Sequence, residues 1–588
     1  MRARSRPSDS ARDKRVRVAL DQEDASRGAD RHLRRDLLLV SLLTLAALGL
    51  RLWGIAWGLP NSERMCSYHP DEGVNLINGV LDRGVLRPHL DIGFYNYGSL
   101  YFLLWQAAGA VNSAYGIIGL PPASAPNAPL TESLASLTLV GRIVSVILGA
   151  ATVFVVAWKA RRIGGMRSAL LAGTMQTVAP LAVIHSRFAT VDSTATLLTA
   201  LTLYASLVLL RVKRASVAIV AGTLAGLAAA TRYNAVLVVL SAVTAAFLAR
   251  GLDHRQTASA GLRLAALVGV GCIVGFLIGC PGAVLNWDRF TADLAFEASK
   301  SAQGMGLLFQ GTGNGFVYHW LSSLRLGLGL PLLLLVTAAA VVALKRREPE
   351  YIVLLVFAAA YYGMMGAAKV RFMRYMLPLL PALFVCTAVI IASTGSRLRS
   401  LWSKGGLVVA CCGALVWAAG IAVAFSVCMT QPDARDLALS HLRAKLHRGD
   451  SIAFATTPWY WTPPMLSEFT APVPGTVRRK MILDSASEYR LRLPGEDREW
   501  DPAVLEAPLP EAVVISDLES QDAVRVKHPA AMAFLERLAQ RYRVTEFGSR
   551  PTLFGISVVG DGYLPVDMLY VCPIVRVYQL QDGRHEHP

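Results

Sequence analysis

Asp, Glu, Lys and Arg supply 17% of the 588 residues and apolar types 54%, whereas soluble globular chains carry about 25% charged residues. With a mean hydropathy of +0.43 and long uncharged stretches, this is not an ordinary cytosolic enzyme, and much of the chain belongs in lipid. The net charge of +17 falls in short clusters between apolar runs, the mark of cytoplasmic loops rather than of a nucleic-acid surface. The eight cysteines show no metal spacing, and six of them lie inside apolar segments, so neither a disulfide framework nor a zinc site is implied.

Residues 1–36 hold eleven Lys/Arg against seven Asp/Glu and no apolar run, which predicts a disordered basic cytoplasmic tail. The run 37–58 is long enough to span and lacks a small-residue cleavage site, so it reads as a retained first helix with its N-terminus inside. Further spans are expected near 137–158, 168–186, 194–210, 215–231, 234–249, 264–285, 320–344, 350–367, 375–394 and 406–428, about eleven crossings in all. Basic clusters around Arg161, Lys213, Arg255, Arg346 and Arg399 then fall on the inner side under strict alternation. Residues 59–136 form a long first outer loop. The apolar stretch 100–120 would reverse every later loop if it crossed, so it reads as interfacial or re-entrant, with Tyr95, Tyr97, Tyr101, Phe102 and Trp105 suited to the headgroups. Odd parity leaves 429–588 outside. That region alternates helical (433–446, 530–542) and extended patterns (451–455, 512–515, 552–559, 569–578), a small soluble α/β domain.

Three outer segments carry chemistry. His69-Pro70-Asp71-Glu72 places adjacent carboxylates just beyond the first span, suited to a general base with a supporting partner or to a cation ligand. His185-Ser186-Arg187-Phe188-Ala189-Thr190-Val191-Asp192 lies between two closely spaced spans. Lys369-Val370-Arg371-Phe372-Met373-Arg374-Tyr375 opposes the charge bias of the other outer loops, for which a bound phosphate gives a reason. Arg51, Arg142 and Arg325 fall inside spans, where charges face a cavity or a partner; an anionic ligand near the outer leaflet would account for them together.

In this order, with Gly226-Leu227-x-x-x-Thr231-Arg232-Tyr233 and Arg371-Phe372-x-x-Tyr375-x-x-Pro378-x-x-Pro381, the motifs resemble the family 39 glycosyltransferases. These are GT-C-fold enzymes related to protein O-mannosyltransferases and the lipid A aminoarabinose transferase. The resemblance covers about residues 37–430. It implies transfer of a sugar from a polyprenyl-phosphate carrier to an acceptor outside the cytoplasmic (inner) membrane, with inversion. It also implies that the family's acidic residues match Asp71, with Glu72 beside it, and Asp192. One departure is Tyr95-Asn96-Tyr97-Gly98, where the family often has a Lys-Pro-Pro-like element.

The sequence therefore predicts a polytopic all-α, GT-C-like membrane protein, N-in and C-out, with a transmembrane domain over 37–428 and an extracytoplasmic α/β domain over 429–588. Asp71, Glu72 and Asp192 are the candidate catalytic residues. Lys369, Arg371, Arg374, Arg187 and Arg232 are the candidates for the donor phosphate. A divalent cation is a possible cofactor. Partners are the lipid-linked donor, a lipid, glycan or protein acceptor, and membrane lipids. The rival class is a lipid or sugar transporter or flippase, which would be expected to show interrupted helices in related halves with polar residues near the midplane.

Overall fold

The computed structural model describes residues 32–118, 130–248, 254–398, 400–496, 498–559 and 564–581. The expected basic tail thus lies outside the described residues except for 32–36, which already belong to the first helix, 32–52. Each expected crossing is helical over most of its length. By length and hydropathy, six helices among the described residues suffice to cross a membrane, or seven if one bent pair counts as a single span. The shorter apolar helices Ala215–Ala229 and Tyr233–Phe247 fall below the ~20 residues of a straight crossing.

Two departures from straight spans have local causes. Helix Leu130–Val178 covers two expected crossings and breaks at Gly165, whose φ of 77° lies in the left-handed region. The segment expected at 320–344 is bent by 117° between Gly315–Leu328 and Leu330–Arg346. Gly329 sits at that bend with φ 78°, and a Cβ there would lie 2.7 Å from the Trp417 ring, so the turn needs glycine both for its backbone and for its neighbour.

Without water there is no hydrophobic drive between helices in lipid, and close backbone approach supplies the contact instead. Helix Ala215–Ala229 packs on His254–Gly279 through Gly222 and Gly226 on one side and Gly271 and Gly275 on the other. A Cβ at Gly226 would stand 2.0 Å from the Cys272 carbonyl oxygen. The outward faces stay apolar: in Ala258–Gly279 only 28% of the window is buried, and Leu262, Val270, Ile273 and Ile278 are exposed, as lipid-facing positions should be.

Helix Leu100–Tyr115 is too short to be a span, but its aromatic residues do not face headgroups as expected. Tyr95, Tyr101, Phe102 and Trp105 are fully buried in a satellite core with Leu137 and Val140. The Trp105 indole donates to the Leu137 carbonyl at 2.7 Å. Packing against helix Leu130–Val178 satisfies both ends of these amphipathic rings, so the first outer loop is a folded platform.

The C-terminal region forms a five-stranded sheet. Its strands are β1 (Ser451–Phe454), β2 (Arg490–Arg492), β3 (Ala512–Ser516), β4 (Tyr542–Phe547) and β5 (Val575–Leu580), in the order β2-β1-β3-β5-β4. β1 runs parallel to β2 and β3, and β5 antiparallel to β3 and β4. Period-two alternation sends Ile452, Phe454 and Val514 to one face with Ala438 and Leu442, and Ala453, Val513 and Ile515 to the other with Phe534 and Leu538. A sheet covered by helices on both faces results. Two expected strands shrink: 552–559 gives only the hairpin Thr552–Leu553 and Ile556–Ser557, and 569–578 begins in helix Val566–Leu569 and becomes extended only at Val575.

Candidate active site

Pro70 has no N–H to lose at the first helical position, so it starts the short helix Pro70–Asn75, with His69 as its cap. The His69 Nδ1 accepts the Asp71 backbone N–H at 3.3 Å. Consecutive residues on a helix diverge by about 100°, and the two carboxylates accordingly meet different surroundings.

Glu72 is fully buried. Its Oε1 accepts from Arg142 Nε at 2.8 Å and from the Ala189 N–H at 2.7 Å, while its Oε2 accepts from Arg142 Nη2 at 2.7 Å and from Ser67 Oγ at 2.5 Å. Burial pushes this carboxyl up, but the Arg142 charge and hydrogen bonds outweigh burial and hold it below the usual range. Arg142 also donates to the carbonyls of Ile55 and Trp57, both at 2.6 Å. Glu72 thus ties the first outer loop to helix Leu130–Val178 and to the turn before helix Asp192–Val212. Arg51 and Arg142 take partners within the chain in place of the expected shared anion, and Arg325 is not buried with them. Arg51 donates to Ser186 Oγ at 3.1 Å and to the Gln176 carbonyl at 2.9 Å, Arg142 is held by Glu72, and Arg325 is exposed.

Asp71 stays partly open, its side chain 25% exposed and its Oδ2 2.7 Å from Arg374 Nη2. Burial raises the Asp71 carboxyl, but Arg374, then His69, Lys300 and Arg232, lower it further, so it stays ionised below the ordinary carboxylate value. Arg374 is positioned from the far domain, since its backbone N–H donates to Asp567 Oδ2 at 2.9 Å. His185 Nε2 stands 3.8 Å from the same oxygen. Two buried donors around Asp71 lack partners: Arg374 Nη1 and His69 Nε2. Because His69 Nδ1 is an acceptor, its hydrogen sits on Nε2. Burial lowers the pKa of His69 to about 4, so the ring is neutral near pH 7. Buried donors without partners are costly, and two beside one carboxylate mark a place for an oxygen-rich ligand.

Asp192 opens helix Asp192–Val212 and is ion-paired with Arg232, both buried. The Thr190 hydroxyl adds a hydrogen bond to it at 3.0 Å. Arg232 lies over the Tyr375 ring, 4.2 Å from its centroid. The other basic candidates stand apart from the carboxylates. Arg187 donates to the Leu50 carbonyl at 2.7 Å and to Ser426 Oγ at 2.5 Å, joining the first helix to Leu401–Cys428. Arg371 Nη1 donates to Thr312 Oγ1 and the Gly313 carbonyl, both at 2.7 Å, bracing the loop before helix Gly315–Tyr318. Lys369 is exposed.

Several site residues have no signal in the sequence. Asp567, Tyr460 and Tyr570 come from the C-terminal domain, where fully buried Arg435 holds the two tyrosine segments. Arg435 pairs with Asp433 at 2.7 Å, donates to the carbonyls of Tyr460 and Tyr570 at 2.7 and 2.8 Å, and lies 3.6 Å over the Tyr68 ring. Tyr570 packs on His69, ring centroids 5.0 Å apart. The departing tetrapeptide Tyr95–Gly98 also borders the site: Tyr233 donates to the carbonyls of Tyr95 and Tyr97 at 2.7 and 3.0 Å, and the Asp71 charge acts on the Tyr97 phenol.

Among the described residues, no group of three or more His, Cys, Asp or Glu is arranged to hold a metal. Asp71 and Asp192 each face a guanidinium.

Residues 131–278 match the family described as dolichyl-phosphate-mannose-protein mannosyltransferase. The matched stretch includes Arg142, Arg187, Asp192 and Arg232 and excludes Asp71 and Arg374. Among solved structures, ArnT from Cupriavidus metallidurans bound to undecaprenyl phosphate is similar at 14% identity and TM-score 0.46, over 92% of this chain and 97% of that one. The oligosaccharyltransferase AglB from Archaeoglobus fulgidus, in complex with an inhibitory peptide and a dolichol-phosphate, is similar at 13% identity and TM-score 0.47, over 89% of this chain and 74% of that one. No curated protein matches the chain. The matched residues, 131–278, agree in family with the resemblance carried by the sequence motifs. They sit in a multi-pass helical chain with an appended sheet domain.

Proposed function

We propose that the protein is a membrane glycosyltransferase that moves a sugar from a polyprenyl-phosphate carrier to an acceptor on the extracytoplasmic side, with inversion. The observation that carries this reading is the Asp71–Arg374 pair at 2.7 Å, flanked by the unpartnered donors Arg374 Nη1 and His69 Nε2. An ionised carboxylate beside a nucleophile and free donors beside a leaving phosphate are what single displacement at an anomeric carbon requires. The acceptor oxygen or nitrogen attacks that carbon and passes its proton to Asp71. The bond from the carbon to the phosphate oxygen breaks, and the phosphate keeps the electron pair. Arg374 Nη1 and His69 Nε2–H bond the departing oxygens, and Arg232 and Lys300 add positive field. Asp192 fixes Arg232, and Glu72 fixes the loop that presents Asp71.

The prenyl chain has a place in this reading. An apolar groove of about 250 Å³ runs between Leu330–Arg346, Pro349–Ala367 and Leu380–Arg397, lined by Trp320, Leu333, Ala340, Ala358, Leu379 and Leu383. Filling it with Ala340→Phe is expected to raise KM for the donor with little change in kcat, because the groove holds ground state and transition state alike. Equal kinetics for this variant and the parent would remove the groove from the donor site.

Arg374→Lys is expected to impair transfer by about ten- to a hundredfold at normal expression, the loss of one charge-assisted contact of roughly 1.5–3 kcal/mol. Lys cannot hold Asp71 and a phosphate with one planar fork. Arg371→Lys should cost less, since Arg371 braces a loop. Parental transfer rates in both variants would make this segment a headgroup anchor. Sidedness is checked by reporter fusions and by cysteine labelling at exposed neighbouring positions: Arg161, Lys213 and Arg346 should map inside, and Asp71, Asp192 and the domain after Cys428 outside. Asp71 and Asp192 on opposite faces would dismantle the site.

A further inference from the structure

A second cavity adjoins the site. It has a volume of about 650 Å³ and lies between the end of helix Trp287–Gln303 with its following loop and the C-terminal domain. This is within the ~300–1,000 Å³ of small-molecule sites. Its lining includes the indoles of Trp459, Trp461 and Trp500, the carboxylates of Glu519 and Asp522, and Lys300. Lys300 is close enough for its charge to act on Asp71. Tyr460, between the two lining tryptophans, packs on Tyr570 with ring centroids 5.6 Å apart, and Tyr570 packs in turn on His69 at 5.0 Å, two residues before Asp71. The cavity and the reacting carboxylate therefore share a wall, built from Trp459-Tyr460-Trp461, whose rings pack edge to face 4.8 and 4.9 Å apart at their centroids.

We infer that this cavity is the acceptor site and that its acceptor is a neutral glycan, held by stacking on Trp459 and Trp461 and by hydroxyl bonds to Glu519 and Asp522. The inference rests on the glycosyltransferase reading and adds the class of acceptor to it. A sugar ring has an apolar C–H face that suits an indole and a rim of hydroxyls that donate to carboxylates. The Trp461 N–H, buried without a partner, offers a donor to a ring or hydroxyl oxygen.

Charge decides against other ligands. Lys300 is paired with Glu297 at 2.8 Å and Asp522 with Arg525 at 2.5 Å. Glu519 bonds the Thr456 hydroxyl and caps helix Asp517–Arg525, and burial lifts its pKa to about 7. Glu499 also lines the cavity, and burial pushes its carboxyl up as well. The lining cation is already paired, which disfavours a free anion, and the carboxylates outside ion pairs are both pushed toward their neutral form, which disfavours a polyamine. An extended peptide is recognised through main-chain donors and acceptors, whereas the polar groups here are mostly side-chain acceptors.

The test is equilibrium binding to the full-length protein in detergent, without donor, followed by tryptophan fluorescence. The probes are neutral trisaccharides of mannose, galactose and arabinose, a Ser/Thr-rich peptide, and spermidine. At least one trisaccharide should bind. Trp461→Ala should weaken it by about tenfold or more, as loss of a buried aromatic anchor does, with Trp461→Phe retaining part of the affinity. Glu519→Gln keeps the helix cap and should weaken binding. Binding of peptide or spermidine in place of every sugar, or sugar binding unchanged in Trp461→Ala and Glu519→Gln, would overturn the inference. Binding needs no turnover, so a chain that binds glycans but transfers nothing refutes only the glycosyltransferase reading. Transfer to a peptide without glycan binding refutes only this one.

Discussion

Asp71→Asn is expected to lower sugar transfer by roughly 10²–10⁴, the usual cost of losing a general base, while expression and donor binding stay close to parental. The amide keeps the shape and can still meet Arg374, but it has no proton affinity. Because Arg374 lies 2.7 Å away and Asp71 is held below the ordinary carboxylate value, the parent's base is fully ionised at neutral pH. Protonation on acidification costs activity only as pH falls through that lowered value, so the acid limb set by Asp71 should lie below about pH 4. Arg374→Gln removes the largest lowering influence and should move that limb upward, besides slowing the reaction. An acid limb near pH 6.5 in the parent would point to a histidine instead. Parental turnover in Asp71→Asn would pass the role to Asp192.

The neighbouring carboxylate should fail differently. Glu72→Ala or Arg142→Ala leaves one charge of a fully buried pair without its partner, and breaking such pairs typically costs about 3–5 kcal/mol. A large drop in thermal stability or yield is expected, with near-normal activity per folded molecule. Arg142→Lys should not rescue it, since one ammonium cannot replace the bidentate contact and the bonds to Ile55 and Trp57. The Glu72 contribution also has a pH signature. Its folded-state pKa is lowered, so its stabilisation is complete above the unfolded value of about 4.3 and disappears as pH falls through the folded value. Glu72→Gln with parental stability and a 10²-fold loss of transfer would make Glu72 the base.

The contrast between these adjacent residues shows how far the sequence reaches. Asp71-Glu72 is visible as a motif, but which carboxylate stays partly open depends on the phase of a helix started by Pro70 and on where Arg142 arrives from a distant segment. The apolar helices are legible because each needs an apolar run, whereas the 117° bend at Gly329 depends on Trp417, far along the chain. The three basic residues of 369–374 look equivalent in sequence. The fold separates them: Arg374 pairs with Asp71, Arg371 braces a loop, and Lys369 is exposed. His69 and His185 lie within motifs the sequence offers, yet their roles depend on hydrogen bonds and burial. Asp567 and Arg435 act across the domain boundary, where no local pattern announces a partner. The aromatic residues of 95–105 misdirect, because rings suited to headgroups suit a protein core equally well.

The central claim is that sugar leaves its lipid carrier at Asp71 and Arg374. The most direct measurement follows a labelled polyprenyl-phosphate sugar with purified protein in vesicles, tracking label on the lipid and on acceptor, for the parent beside Asp71→Asn. The account predicts that the parent moves label from lipid to acceptor, and that Asp71→Asn binds the labelled lipid but leaves it intact. Passage of the intact labelled lipid across the bilayer without transfer, at equal rates in both proteins, would contradict it and identify a flippase.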